Sequence, residues 1–194
     1  MVDEFQTVSD ENLARQSQQG NLVAFEELVH RYEHRIHAFI FQTLGHDTDA
    51  REATQDTFVR AFQAINKFDA SRCFASWLFT IARHKGIDCF RARIPSAGQE
   101  AGEEIDFENP AEAAARQDEA QELWRRARAS LPEGQFQALW LRYAEDMDIA
   151  QIAHVLGKTQ TYIKVLLFRA RHTLAGKFEK TAPHPVLTTK GANL

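Results

Sequence analysis

Between Ile94 and Glu112 the chain reads IPSAGQEAGEEIDFENPAE, with six acidic residues and no basic one. Glycine, proline, serine and glutamate dominate, and only Ile105 and Phe107 supply apolar bulk in its middle. Such a segment cannot bury enough surface to offset the entropy of ordering it, and its like charges repel one another. Residues 95–112 therefore read as a flexible acidic linker. It divides the chain into two small domains, 1–94 and 113–178, with 179–194 as a disordered tail. Neither piece is long enough for an elaborate architecture, so each must close its core with a few elements.

Those elements read as helices, because alternating apolar patterns are almost absent and apolar residues recur at helical spacing. Ser9 caps a first helix that Gly20 ends. Phe25, Leu28, Val29, Tyr32, Ile36, Phe39 and Ile40 mark a second of about five turns, broken at Gly45. A third, over 49–65, buries Phe58, Phe62 and Ile65. A fourth turns Trp77, Leu78, Ile81 and Ala82 inward and Arg83, Lys85, Arg91 and Arg93 outward, and Pro95 closes it. Past the linker, a helix over 112–129 precedes one started by Pro132, with Phe136, Leu139, Trp140 and Tyr143 inward. The expected fold is all-α: two small helical domains joined by an acidic flexible linker.

The second domain ends in a helix–turn–helix pattern, winged-helix-like but wingless. Asp148 and Gln151 form a capping box before Ile149, Ile152, Ala153 and Leu156. Gly157 permits the positive φ of a tight turn. Thr159 caps a last helix with Ile163, Leu167, Ala170 and Leu174 inward. Small Ala153, the turn glycine and branched Ile163 have the spacing of a DNA-reading unit. Gln160, Thr161, Lys164, Val165, Phe168 and Arg169 then project outward, toward a major groove.

Net charge is −4, but it is unevenly spread. Residues 1–66 carry 11 acids and 5 bases, and 94–130 carry 9 acids and 4 bases. Residues 67–93 carry 6 bases against 2 acids, and 157–180 sum to +5. Two basic blocks thus alternate with two acidic ones, giving two candidate surfaces for a polyanion. In 68–93 cations interleave with aromatics, a mixture that single-strand capture needs: charge for phosphate and a surface for a base. Phe74 and Trp77 fit a core role equally, and the spacing of Trp77 with Ile81 favours it.

In order and spacing, residues 9–177 resemble the extracytoplasmic-function class of bacterial sigma factors. GNLVAFEELVHRYEHRI resembles the start of that family's first domain, and DAREATQDTFVRAF its polymerase-gripping helix. FDASRCFASWLFTIARHKGIDCFRAR resembles its promoter-melting segment, and LPEGQFQALWLRYAEDMDIAQIAHVLGKTQTYIKVLLFRAR its second domain. The resemblance implies a non-enzymatic initiation subunit that partners core RNA polymerase, through the largest subunit's clamp helices and the flap, and promoter DNA. It implies that Gln55, Asp56, Phe58, Arg60 and Phe62 face the polymerase. The acidic stripe Asp49, Glu52 and Asp56 is otherwise a solvated face.

The resemblance also implies that the loop 69–74, with Asp69, Ser71, Arg72 and Phe74, reads the minus-ten element. Arg83, His84, Lys85, Asp88, Arg91 and Arg93 follow along its upstream edge. The minus-thirty-five element falls to Gln160, Thr161, Tyr162, Lys164, Val165, Phe168 and Arg169, with Arg171 on a phosphate. It implies an anti-sigma partner, a linker threading the RNA exit channel and a cytoplasmic setting. Three departures stand out, the first being Thr161–Tyr162 where the family usually has Gly–Thr. Where the family often has Lys–Ser–Arg, this chain has Lys164–Val165–Leu166, and where it usually has Glu–Gly, the chain has EDMD at 145–148.

Other chemistry is poorly supported. His30, His34 and His37 with Glu27 resemble half of a di-iron motif, but the second half is missing. A polar helix edge is the better reading, so no metal and no cofactor are expected. Phosphate-binding glycine loops and hydrolase or zinc-protease motifs are absent. The acidic N-terminus is unlike a signal peptide, and no stretch reaches the roughly 18 apolar residues of a membrane span. Cys73 and Cys89 lack metal-ligand spacing and read as reduced thiols. The rival reading is a stand-alone helix–turn–helix regulator, which has no use for the basic aromatic block at 68–93.

Overall fold

The computed structural model describes residues 7–93 and 115–178, and every regular element among them is helical. The proposed linker 95–112, the tail from 179 and Pro95 lie outside the described residues. In the first lobe α1 spans Asp10–Gln18, α2 Leu22–Leu44, α3 Asp47–Ala64 and α4 Phe74–Arg93, with a 3-10 turn over Ile65–Lys67. In the second, α5 spans Ala115–Ser130, α6 Glu133–Tyr143, α7 Ile149–Leu156 and α8 Gln160–Phe178. No helix among the described residues is long and apolar enough to cross a membrane.

Local chemistry explains the boundaries. Ser9 accepts the Asn12 amide at 3.3 Å and opens α1. Asn21 accepts the Ala24 amide at 3.3 Å and opens α2, which Gly45 ends at φ 72°. The α3 helix starts at Asp47 rather than 49, with Asp47 and Asp49 in its first turn, where acids favour the positive end of the helix dipole. Nothing apolar marks that turn, so hydrophobic spacing alone missed it.

The first core is built on Leu13, Leu28, Tyr32, Ile36, Phe39, Ile40, Phe74, Leu78 and Phe79. Phe39 meets Phe79 edge-on at 5.3 Å. One inward assignment in this lobe needs correction: Phe62 is 44% exposed and lies edge-on against Phe25 at 5.0 Å. Trp77 and Ile81 are half-buried and pack against the core, with Phe79 fully buried beside them. The inner face of α4 is rotated toward Phe79, because α2 presents Phe39 there. In the second lobe the rings of Trp124 and Trp140 pack at 4.8 Å, tilted by 52°, beside Phe136, and Ile152, Val155, Ile163, Leu167 and Ala170 close the core. Tyr143, expected inside, is 57% exposed at the end of α6, where the chain turns away.

Candidate nucleic-acid and polymerase interfaces

The helix–turn–helix is built as its residue types require. Asp148 Oδ1 accepts the Gln151 amide and Gln151 Oε1 accepts the Asp148 amide, both at 2.8 Å. Gly157 ends α7 at φ 62°, left-handed backbone that an L side chain adopts only with strain. Thr159 accepts the Tyr162 amide at 3.2 Å and starts α8. Ile163 is fully buried where α7 and α8 meet. The opposite face is open: Gln160, Thr161, Tyr162, Lys164, Val165, Phe168, Arg169 and Arg171 are all exposed. Phe168 is the most open large apolar residue of α8 at 65%, and its ring lies parallel to His172. Arg171 Nε donates to the Leu167 carbonyl of its own helix at 3.2 Å. Leu166 is buried, so the departure from Lys–Ser–Arg exchanges a cation for core at one position and places an apolar Val165 outside at the other.

In the first lobe the loop after the 3-10 turn is anchored from below. Gln18 Nε2 donates to the carbonyls of Ile65 and Phe68 at 2.9 and 2.7 Å. Glu11 Oε1 accepts the Phe74 amide at 3.0 Å and so satisfies the first donor of α4. Within the loop, Asp69 Oδ1 accepts both the Ser71 hydroxyl at 2.7 Å and the Ser71 amide at 3.0 Å. The Ser71 bonds hold the Asp69 carboxyl below its ordinary pKa. Arg72 Nε lies 3.5 Å from Asp69 Oδ2. Asp69, Ser71 and Arg72 are exposed over a floor of Phe68, Phe74 and Trp77, whose centroids are 5.1 to 5.6 Å apart.

Phe74 is a correction. At 1% exposure it belongs to that floor and not to the DNA-facing rim, because the fourth helix begins with it and turns it onto Tyr32. Along α4, His84, Asp88 and Arg91 share one exposed face. Lys85 turns instead to α3, where its Nζ lies 2.9 Å from Asp56 Oδ2. Arg83 is half-buried, and its Nε donates to Gln137 Oε1 of α6 at 3.3 Å. Arg93 ends the helix.

The outer face of α3 carries Gln55, Asp56 and Arg60, all exposed. Phe58 is a second correction: it is buried at 9%, one turn from the open face, and supports that surface from inside. Sequence reading missed Val59 and Leu22, which are 56% and 60% exposed, Val59 lying three residues before the exposed Phe62 on α3. The available signal was their phase, since both fall outside the buried stripes of their helices. His30, His34 and His37 do not converge, and no group of three metal-ligating side chains occurs among the described residues.

Residues 28–93 match the Sigma-70 region 2 family and residues 121–174 match Sigma-70, region 4. The chain is 30% identical over 171 residues to the ECF RNA polymerase sigma factor BldN of Streptomyces coelicolor, covering 84% of this chain and 63% of that one. It is 28% identical over 177 residues to the RNA polymerase sigma-H factor of Pseudomonas aeruginosa, covering 85% and 91%. Its structure resembles that of CnrH in complex with the cytosolic domain of CnrY, with a TM-score of 0.66, 28% identity and 88% and 97% coverage. With both sigma regions present in this order and relatives of one kind, the chain belongs to the extracytoplasmic-function class of RNA polymerase sigma factors.

Proposed function

We propose that the chain is an alternative sigma factor that joins core RNA polymerase, directs it to particular promoters and helps open them, with no catalysis of its own. The observation that carries this is the pairing of two separate basic surfaces with two consecutive sigma regions. The first domain, 1–94, meets the polymerase through Gln55, Asp56, Arg60 and Phe62 together with Leu22 and Val59. Open apolar side chains rimmed by polar groups are the usual composition of a docking surface. Asp69, Ser71 and Arg72 meet the minus-ten strand, with His84, Asp88, Arg91 and Arg93 beyond them.

The second domain, 113–178, lays α8 in the major groove at the minus-thirty-five element, as helix–turn–helix proteins do. Lys164 and Arg169 neutralise phosphates or reach base edges there, and Val165 and Phe168 suit thymine methyls. With Leu166 turned into the core, an exposed Val165 in place of a hydroxyl gives this chain an upstream preference richer in thymine contacts. The acidic segment 95–112 suits a basic channel. CnrH is found in complex with the cytosolic domain of CnrY, and an anti-sigma partner and a cytoplasmic setting, as the family resemblance implies, fit this chain too.

The test is transcription in vitro with purified core enzyme on a genomic template library, with the transcripts sequenced. Start sites sharing two upstream elements are expected. Asp56→Arg weakens capture of core, while circular dichroism shows that the free chain, which loses only the surface Asp56–Lys85 pair, keeps its helices. Arg169→Ala lowers promoter activity about tenfold, for a contact of about 1–3 kcal/mol. Absence of selective transcripts, or capture of core unchanged by Asp56→Arg, overturns the reading.

A further inference from the structure

The loop between Phe68 and Phe74 is folded on itself by local bonds. Asp69 Oδ1 accepts the Ser71 amide and hydroxyl, and the Arg72 amide donates to the Asp69 carbonyl at 2.9 Å. Such bonds shape a turn but do not fix where it sits on the lobe. The helix that follows has little of its own to start it. Cys73, just before α4, has no capping oxygen, and the first turn of α4 holds no acid.

Both needs are met from α1. At one end of the loop Gln18 Nε2 donates to the Ile65 and Phe68 carbonyls at 2.9 and 2.7 Å. At the other end Glu11 Oε1 accepts the Phe74 amide at 3.0 Å, which sets a carboxylate at the positive end of the α4 dipole. Glu11 and Gln18 are half-buried and seven positions apart, two turns or about 10 Å along one face of a helix. That face therefore spans the loop from end to end. The α1 helix is itself held firmly. Leu13 and Ala14 are fully buried, and Arg31 Nη1 donates to Asp10 Oδ1 at 2.7 Å and to the Val8 carbonyl at 2.9 Å. The loop lies within the stretch matched to Sigma-70 region 2, residues 28–93, whereas the helix that holds it lies before that stretch.

We propose that α1 belongs to the promoter-opening machinery, with Glu11 and Gln18 as positioning residues that hold Asp69, Ser71 and Arg72 where an opened strand is caught. The role in opening rests on the promoter reading above, whereas the clamp on the loop does not. A loop ordered in advance spares strand capture the entropy of ordering it. Neither residue touches DNA in this scheme; each acts through the backbone of the loop.

The test uses the full chain in three variants. Glu11→Ala removes the acceptor, Glu11→Gln keeps an oxygen in its place, and Gln18→Met keeps side-chain length without the donors. Circular dichroism establishes that each is folded at the assay temperature, and Gln18→Met alone decides should Glu11→Ala unfold. Hydrogen–deuterium exchange over 66–76 in the free chain is expected to quicken about tenfold in Glu11→Ala and Gln18→Met, for hydrogen bonds of ordinary strength. In Glu11→Gln it stays as in the wild type. With core enzyme bound to equal extent, unpaired thymines in the minus-ten segment of a promoter recovered from the genomic library are then measured by permanganate reactivity. Glu11→Ala and Gln18→Met are expected to open about tenfold less, and Glu11→Gln as much as the wild type. From a template whose minus-ten segment is already unpaired, all are expected to transcribe alike. Unchanged exchange overturns the clamp. Faster exchange with full opening overturns the positioning role, and so does an equal defect on the unpaired template, which marks a general loss of structure. Absence of selective transcripts from the wild type removes the promoter reading and the role in opening with it, while exchange still decides the clamp.

Discussion

Phe74 offers a clean contest between DNA contact and core. Its side chain is 1% exposed, with the rings of Tyr32, Phe68 and Trp77 at 5.7, 5.5 and 5.6 Å. A phenylalanine buries about 150–250 Å², and at about 25 cal/mol per Å² that is about 4–6 kcal/mol as an upper bound. Measured Phe→Ala losses in cores are about 3–5 kcal/mol. For a lobe of this size each kcal/mol moves the midpoint by about 4–8 °C. Phe74→Ala therefore lowers the first lobe's melting by at least about 12 °C. Phe74→Leu keeps most of the volume and costs about 1.5 kcal/mol or less. Thermal melts followed by circular dichroism, with near-ultraviolet signal from the Phe68–Trp77 cluster, read both. A DNA contact predicts the reverse pattern: unchanged melting and lost promoter opening. An unaltered midpoint in Phe74→Ala would refute the core assignment and return Phe74 to the DNA-facing loop.

Three further outcomes follow from local geometry. Asp148→Ala removes one half of the capping box and costs the second lobe about 1 kcal/mol, seen as a lower midpoint with the outer face of α8 untouched. Asp146 sits at φ 52°, so Asp146→Gly relieves left-handed strain and stabilises the second lobe by up to about 1 kcal/mol; a lower midpoint would contradict this. Tyr32 is raised above its ordinary pKa, first by burial and then by its 2.5 Å hydrogen bond to Asp10. A raised value means stability that is present below the ordinary tyrosine pKa of about 10 and lost as pH rises beyond it toward the folded value. Urea titrations from pH 8 to 11 should show alkaline loss in the wild type and a flatter profile in Tyr32→Phe, with equal profiles counting against it.

Much of the fold was legible because its signals are local. A serine, an asparagine, an aspartate with glutamine three residues on, and two glycines at φ 72° and 62° punctuate the helices where the chain must turn. Helical spacing found Leu28, Tyr32, Ile36, Ile152 and Ile163, all fully or nearly fully buried. It left a choice open where a stripe is wide. With Phe74, Trp77, Leu78, Phe79, Ile81 and Ala82 all candidates, spacing admits two faces, and only Phe39 across the interface selects the one containing Phe79. The same limit let Phe62 pass for core, since its neighbour Phe25 covers one side of the ring and leaves the other open.

The candidate surfaces were legible as far as phase along one helix carries. Every residue assigned outward on α8 is exposed, because Ile163, Leu167 and Ala170 set the opposite face. What a charge faces across space has no local signature. Lys85 reads as a free cation until α3 brings Asp56 to it across 29 positions. Arg83 reads the same way until Gln137 arrives across 54, and Glu145 looks like one more surface acid until Arg35 meets it across 110. A block of positive residues therefore sets an upper bound on the charge a surface can present to DNA. The charge it does present depends on which lobe or helix is docked against it, so a change in docking alters DNA affinity with no residue of the DNA-facing surface altered.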